Sequence, residues 1–290
     1  MATIANLKAQ LGMLAAVLLL GAAPARACPD DRLADMLVQA WRQAQPVRGL
    51  GELGMADAIC LRDRLVQALQ PALGKVVGYK AGLTNRAVQQ RFGHDAPVRG
   101  VLLEKMLQPH AREALPAAYG ARPVIEADLL VEVKDEAINA ARTHLEVLNA
   151  LSRIFPFIEL ADLGIAEGEP VTAAKIVAIN VGARGGVSGE PVVVEATQAF
   201  ADALRDMRVI MNDETGKQLA NSPGSAILEH PLNAVLWLVQ DLQSSGIRLK
   251  AGDVLSLGSF SPLLVPQPGA GYVVRYRGLP GDPRVAVRFR

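Results

Sequence analysis

Residues 124–133 read Val-Ile-Glu-Ala-Asp-Leu-Leu-Val-Glu-Val. A β-branched, apolar run of this kind predicts a strand, and the two-residue period of a strand sends Glu126 and Asp128 to one face. Carboxylates on such a strand are costly to bury unless a cation compensates them, so a hard divalent ion is their natural partner. The alternative is a solvated strand face. Residues 155–160, Phe-Pro-Phe-Ile-Glu-Leu, set a third acid, Glu159, in an equally apolar run, and Asp162 follows three positions later. Three oxygen ligands from two strands, with water or substrate completing the shell, suit Mg2+ or Mn2+ better than zinc. Lys80 closes a further apolar run inside Val-Gly-Tyr-Lys-Ala-Gly-Leu-Thr, residues 77–84, whose glycines admit close backbone approach. It is placed to hold a carboxylate or move a proton; the competing reading is an ordinary surface lysine.

Outward from these segments, short β-rich runs at 76–80, 192–195, 209–212, 254–257, 272–276 and 285–289 are punctuated by Gly and Pro. Helical spacing appears at Leu33, Leu37 and Trp41, again at Ile59, Leu65 and Leu69, and over residues 145–154, 197–205 and 232–242. The fold class is therefore α+β, with a rolled or sandwiched sheet as the body. Residues 28–75 form an N-terminal helical segment, a cap on a main body of residues 76–290. No fixed-period repeat and no low-complexity linker divides that body.

Half of the 290 residues are apolar, enough for a sizeable core. Residues 1–27 carry Lys8 and Arg26 and no acid, which leaves 28 basic against 29 acidic groups in the rest. Such a balance argues against nucleic acid as a partner. Lys8, the apolar run from Leu11 to Ala23, and Ala25-Arg26-Ala27 together read as a cleavable signal peptide, predicting export to a periplasmic compartment with no stable membrane span after cleavage. Only two cysteines exist, and an oxidising compartment favours a structural bridge between Cys28 and Cys60.

The motifs Gly78-Tyr79-Lys80-Ala81-Gly82-Leu83-Thr84, Ile158-Glu159-Leu160-Ala161-Asp162 and Gly252-Asp253 leading to Gly258-Ser259 stand in one order along the chain, with His230-Pro231 and Trp237 in a late helix. In these the chain resembles the 2-keto-4-pentenoate hydratase and 4-oxalocrotonate decarboxylase family, within the fumarylacetoacetate-hydrolase-like superfamily, over roughly residues 55 to 290. The resemblance implies a mixed β-roll or sandwich core of the fumarylacetoacetate-hydrolase C-terminal type, a homo-oligomer, and a small 2-oxo acid of aromatic catabolism as substrate. It puts the family's metal triad on Glu126, Asp128 and Glu159, with one ligand shortened to aspartate. It puts the family's lysine on Lys80, and substrate contacts on Leu83, Thr84, Asn180 and Ser259. The implied reaction is hydration or decarboxylation of a dienoic 2-oxo acid, with Mg2+ or Mn2+ stabilising the enolate that forms.

Two departures bear on the reaction. Pro97-Val98-Arg99-Gly100 lacks the aspartate that hydratases carry ahead of this glycine, which looks more like the decarboxylase branch. The family's Asp-Asn-Ala-Ser-like stretch is altered to Ile179-Asn180-Val181-Gly182. An exported, non-catalytic 2-oxo-acid-binding homologue is one alternative; an acylpyruvate C–C hydrolase using His94 is another. Arg184 is a further candidate for an anionic substrate.

Overall fold

The computed structural model describes Cys28, residues 31–109 and residues 113–290. The expected signal peptide lies outside the described residues. Helices α1 (Asp31–Gln43) and α2 (Met55–Leu73) come first. They are followed by β1 (Val76–Gly82), α3 (Arg86–Arg91), β2 (Val98–Leu103), β3 (Leu107–Pro109), β4 (Pro123–Val133), α4 (His144–Asn149), β5 (Leu151–Asp162), α5 (Ala173–Ala178), β6 (Ala183–Ser188) and β7 (Val192–Val193). The chain continues through α6 (Gln198–Asp206), β8 (Arg208–Asp213), β9 (Gln218–Pro223), α7 (Pro231–Ser244), β10 (Val254–Ser256), β11 (Gly271–Arg277) and β12 (Arg284–Arg288).

The architecture is α+β, with a mixed curled sheet and helices at its N-terminal end. Strands of the main sheet run in the order β2-β1-β10-β4-β5-β6-β3, with β7 paired separately to β5; a second sheet runs β12-β11-β8-β9. Two pairs, β1 with β10 and β3 with β6, are parallel. The longest ladder joins β4 to β5 antiparallel from Pro123↔Asp162 to Val133↔Leu151. Both strands are nearly continuous hydrophobic runs because each face of the main sheet is covered. Ile125, Ala127, Leu129 and Val131 of β4 meet Ile154, Ile158 and Leu160 of β5 in a core shared with α4, α6, α7 and the second sheet. The alternate residues, Glu126, Asp128 and Glu159 among them, face the other way.

That second face is closed by the helices. Leu61 of α2, Val98 of β2, Val177 and Ala178 of α5 and Val181 form one apolar cluster; Leu65, Leu69 and β2's Val101 to Leu103 form another. Cys28 and Cys60 are joined, Cα to Cα 5.6 Å across 32 positions, tying the lead-in of α1 to α2. No helix among the described residues is long and apolar enough to cross a membrane.

The helical pattern expected over 145–154 stops at Asn149. Thr143 and Glu146 cap its start reciprocally, and the run from Leu151 extends β5 to twelve residues, pairing with β4 in preference to continuing the helix. Strands β2, β3, β6 and β9 were not expected. β6 contains Gly185 and Gly186, residues poor in strand propensity; a Cβ at Gly186 would overlap the Phe157 ring, so packing and not propensity sets it.

Candidate active site

Glu126 and Glu159 stand directly opposite each other across β4 and β5, which puts their side chains on the same face at the spacing of adjacent strands. Asp128, two residues on, shares that face. Lys80 comes from β1, next to Ser256 of β10 in register. Curling of the sheet brings Lys80 back over β5, where its ammonium donates to the Glu159 carboxylate and, at 3.0 Å, to the carbonyl of Val181. Lys80, Asp128 and Glu159 are buried, at 3%, 0% and 3% exposure, so none is an ordinary surface charge; Glu126 keeps partial access to solvent.

Three carboxylates against one ammonium leave this face short of positive charge. Burial, and then the Glu159 carboxylate, push the Glu126 carboxyl well above its ordinary range. The same two causes raise Asp128, against the lowering pull of the Ser256 hydroxyl and the Leu129 amide. Burial alone would lower the Lys80 ammonium, but Glu159 and Glu126 outweigh it and hold Lys80 above its usual value. Glu126 and Glu159, side by side with one open to solvent, offer the hard oxygen donors and charge deficit that suit a divalent cation.

Asp128 is also hydrogen-bonded to the neighbouring strand. Its Oδ1 accepts from the backbone N–H groups of Leu129 (2.5 Å), Leu257 (3.1 Å) and Gly258 (2.9 Å), and Ser256 Oγ donates to its Oδ2. Among the described residues no three acidic, histidine or cysteine side chains converge in an arrangement ready to hold an ion. Glu126, Asp128 and Glu159 nonetheless share one face of the sheet, where the Glu159 charge acts on both of the others. Asp162 is likewise committed, accepting from the N–H groups of Ala121 and Arg122 at 2.9 and 2.8 Å and from Arg184.

The backbone at Asn180, Val181 and Gly182 runs through the left-handed region, with φ of 55°, 53° and 69°. For a β-branched residue such as Val181 this is strained, by about 1–3 kcal/mol. The strain aims the Val181 carbonyl at Lys80. Asn180 sustains it: its amide donates to Val101 O at 2.9 Å and accepts from Val101 N at 2.8 Å. The Asn180 side chain thus holds β2 with one N–H and one lone pair.

Of the other expected substrate residues, Leu83 also has positive φ, 54°, and its carbonyl accepts from Gln89. Thr84 is buried against Gly258, whose φ of 115° and lack of a side chain permit the approach. Ser259 bonds within its own turn, donating to Ser261 O at 2.8 Å. Arg184 stacks on Trp41 and donates to the carbonyls of Tyr119 and Trp41, so it ties α1 to the body instead of meeting a substrate. Val98 faces Gly82 of β1 and packs with Val181, placing apolar surface where an acid would otherwise sit. Two contributors went unforeseen. Ser256 carries no motif signal beyond its place in the Gly252–Ser259 strand, and Tyr276, whose hydroxyl donates to Asp128 O, comes from the second sheet.

No family profile matches the chain. It is 27% identical over 255 residues to a 2-keto-4-pentenoate hydratase of Paraburkholderia xenovorans, covering 86% of this chain and 91% of the relative. It is 26% identical over 228 residues to a 4-oxalocrotonate decarboxylase of Pseudomonas putida, covering 79% and 84%. The chain resembles both enzymes along most of its length. A solved 4-oxalocrotonate decarboxylase of Pseudomonas putida G7, complexed with magnesium and adipate, superposes with a TM-score of 0.77 at 26% identity, covering 89% of this chain and 96% of that one. A fumarylpyruvate hydrolase of Pseudomonas aeruginosa, at TM-score 0.52 and 17% identity, shares the fold. The mixed curled sheet is thus the fold of the fumarylacetoacetate-hydrolase-like superfamily.

Proposed function

We propose that the protein is a divalent-metal-dependent lyase that hydrates or decarboxylates a small 2-oxo acid. The observation that carries this reading is the in-register pair Glu126 and Glu159, set on a buried face with the Lys80 ammonium beside them. Glu126 and Glu159 would hold the ion, as Mg2+ or Mn2+. When bound, it supplies positive charge to the carboxylate and 2-oxo oxygens of the substrate, where negative charge develops during the reaction.

The residues of the chain do the rest. Lys80 spends two of its donors on Glu159 and Val181, which leaves one N–H to anchor a substrate oxygen or pass a proton. Held between the Glu159 carboxylate and the Val181 carbonyl, it is placed to anchor a substrate oxygen or to pass a proton. Beside Lys80 the strained turn at Val181 packs against the apolar wall of Val98. That wall offers no carboxylate to activate an attacking water, which favours decarboxylation. The joined pair Cys28 and Cys60 supports residence in an oxidising compartment outside the cytoplasm.

The test is turnover of 2-keto-4-pentenoate and of 4-oxalocrotonate with and without Mg2+, following loss of the dienoic absorbance and release of CO2. CO2 from 4-oxalocrotonate that stops on chelation, and that Glu126→Gln abolishes, is the expected result. Turnover indifferent to both chelator and Glu126→Gln would refute the reading.

A further inference from the structure

The last sixteen residues of the chain, Arg275 to Arg290, hold five arginines, no lysine and a single acid, Asp282, in a protein whose formal charge is only +1. Strand alternation turns Tyr272, Val274 and Tyr276 of β11 and Val285 and Val287 of β12 into the core, and sends Arg275, Arg277, Arg284 and Arg288 outward. Arg208 of β8 joins them on the same exposed face of the second sheet. Register sets Arg275 directly opposite Arg284, and Arg277 directly opposite Arg208. Like charges so placed repel and cost stability, so two such pairs side by side are a feature that folding does not explain.

Little on the chain relieves that repulsion. Arg288 pairs with Glu214 at 3.2 Å, and Arg208 donates to the side chain and the carbonyl of Asn221, a neutral partner. Among the described residues Arg275, Arg277 and Arg284 have no ion-pair partner. Asp282, in the turn between β11 and β12, accepts from the Gly278 N–H at 2.9 Å, and Glu190 shares with Arg275 and Arg284 the lining of a groove of about 850 Å³. Half-buried Val273 and Ile210 lie among the arginines, and no aromatic side chain faces outward from β8, β11 or β12.

We propose that this face docks on an anionic phospholipid surface, with Arg208, Arg275, Arg277 and Arg284 as its phosphate contacts. A guanidinium binds phosphate through two parallel N–H bonds, which an ammonium does not offer. Arginines spread over three strands match a plane of many headgroups better than the single track of a nucleic acid strand, for which this face lacks stacking aromatics. Val273 and Ile210 between the arginines suit the boundary of headgroup and acyl chain. A symmetric contact between two copies would instead set the arginines against one another. The face lies across the shared core from Glu126 and Glu159, so a docked protein keeps that site clear of the bilayer.

The test is co-sedimentation of the full chain with vesicles of phosphatidylglycerol mixed into phosphatidylcholine, beside vesicles of phosphatidylcholine alone. The parent is expected to bind the anionic vesicles at about 0.1 M salt, to be released at about 1 M salt and to leave the neutral vesicles unbound. Each arginine at such a surface contributes about fivefold, so Arg284→Gln should weaken binding about fivefold and Arg275→Gln with Arg277→Gln about 30-fold. That double variant should melt no lower than the parent, because it removes both like-charge pairs. A charge-matched control on exposed positions flanking α2, Arg48→Gln with Lys75→Gln, should stay within about threefold of the parent. A control that falls as far as the β11 double variant, or a parent that binds both kinds of vesicle alike, would overturn the proposal. Tighter binding to duplex DNA or to polyglutamate than to the anionic vesicles would overturn it in favour of that partner.

Discussion

Lys80 of β1 reaches across two intervening strands to the carboxylate of Glu159 on β5, and both side chains are buried. Removing one partner of such a pair strands the other, at a cost on the order of 3–5 kcal/mol. Lys80→Met is expected to lower the melting temperature by several degrees and to abolish turnover. Because a divalent cation restores the missing positive charge, Mg2+ should recover more stability in Lys80→Met than in the parent. Scanning fluorimetry with and without Mg2+ decides it: equal gains in the two proteins would mean that the ion does not act on these carboxylates.

Gly100 lies directly opposite Lys80 in the β1–β2 register, and a Cβ there would sit 2.8 Å from Lys80 Cγ and 2.9 Å from the Asn180 carbonyl. Gly100→Ala is expected to push the lysine stem off its path, cutting kcat by about 10- to 100-fold while the fold survives. Circular dichroism and a kinetic titration on the same preparation check both halves of that statement. Wild-type kcat would show that the lysine has room to adapt.

What the sequence disclosed and what it concealed follow the same division. The acids were legible because a charge inside an apolar, β-branched run must be explained, and the period of a strand fixes which charges share a face. Their partners were not legible. Asp128 meets backbone amides of residues 257 and 258, more than a hundred positions away, and nothing in the composition of β4 signals those partners. Asn180 illustrates the same limit. It stands in a stretch that the resemblance associates with substrate, and nothing in that stretch signals that its amide also bonds the backbone of Val101. β6 escaped notice because Gly185 and Gly186 read as loop, although a strand pairing on both sides tolerates them where Phe157 needs the room.

The Asn180 bonds yield a stability prediction of their own. Asn180→Ala leaves a buried N–H and C=O of Val101 unpaired, which costs about 1–3 kcal/mol for each group. The melting temperature should fall by several degrees even with no substrate present. An unchanged melting temperature with weakened oxalate binding would show that these two bonds do not hold β2 and that Asn180 serves the substrate instead.

The Cys28–Cys60 bridge closes a loop of 32 positions. On the chain-entropy account this is worth about 3–4 kcal/mol of stability. Urea unfolding of the parent with and without a reductant, beside Cys60→Ser, is expected to show a lower midpoint on reduction. Reductant should leave the midpoint of Cys60→Ser unmoved. A shift in that variant would mean that the reductant acts elsewhere.

His230 supplies the pH dependence. Its Nδ1 accepts from Leu232 N at 3.1 Å, capping α7, while its Nε2 lies 3.0 Å from the Ala201 carbonyl, so the folded protein needs the neutral ring with the proton on Nε2. His144 stacks on it at 3.9 Å between centroids and is itself held by Asn233, not solvent-facing as a lone loop histidine would be. Burial first, and then His144, lower the His230 imidazolium to about 4. The unfolded chain titrates near the ordinary histidine value of about 6.5, so between these limits it binds the proton that the folded state refuses. Stability is therefore full above about 6.5 and falls as the pH drops towards about 4. Replacing the ring by a group that caps without titrating, His230→Asn, should flatten that part of the stability curve, measured as urea midpoints from pH 7 to pH 4.5. A parent curve no steeper than the variant's would show that the ring is protonated without cost and that the cap is held by something else.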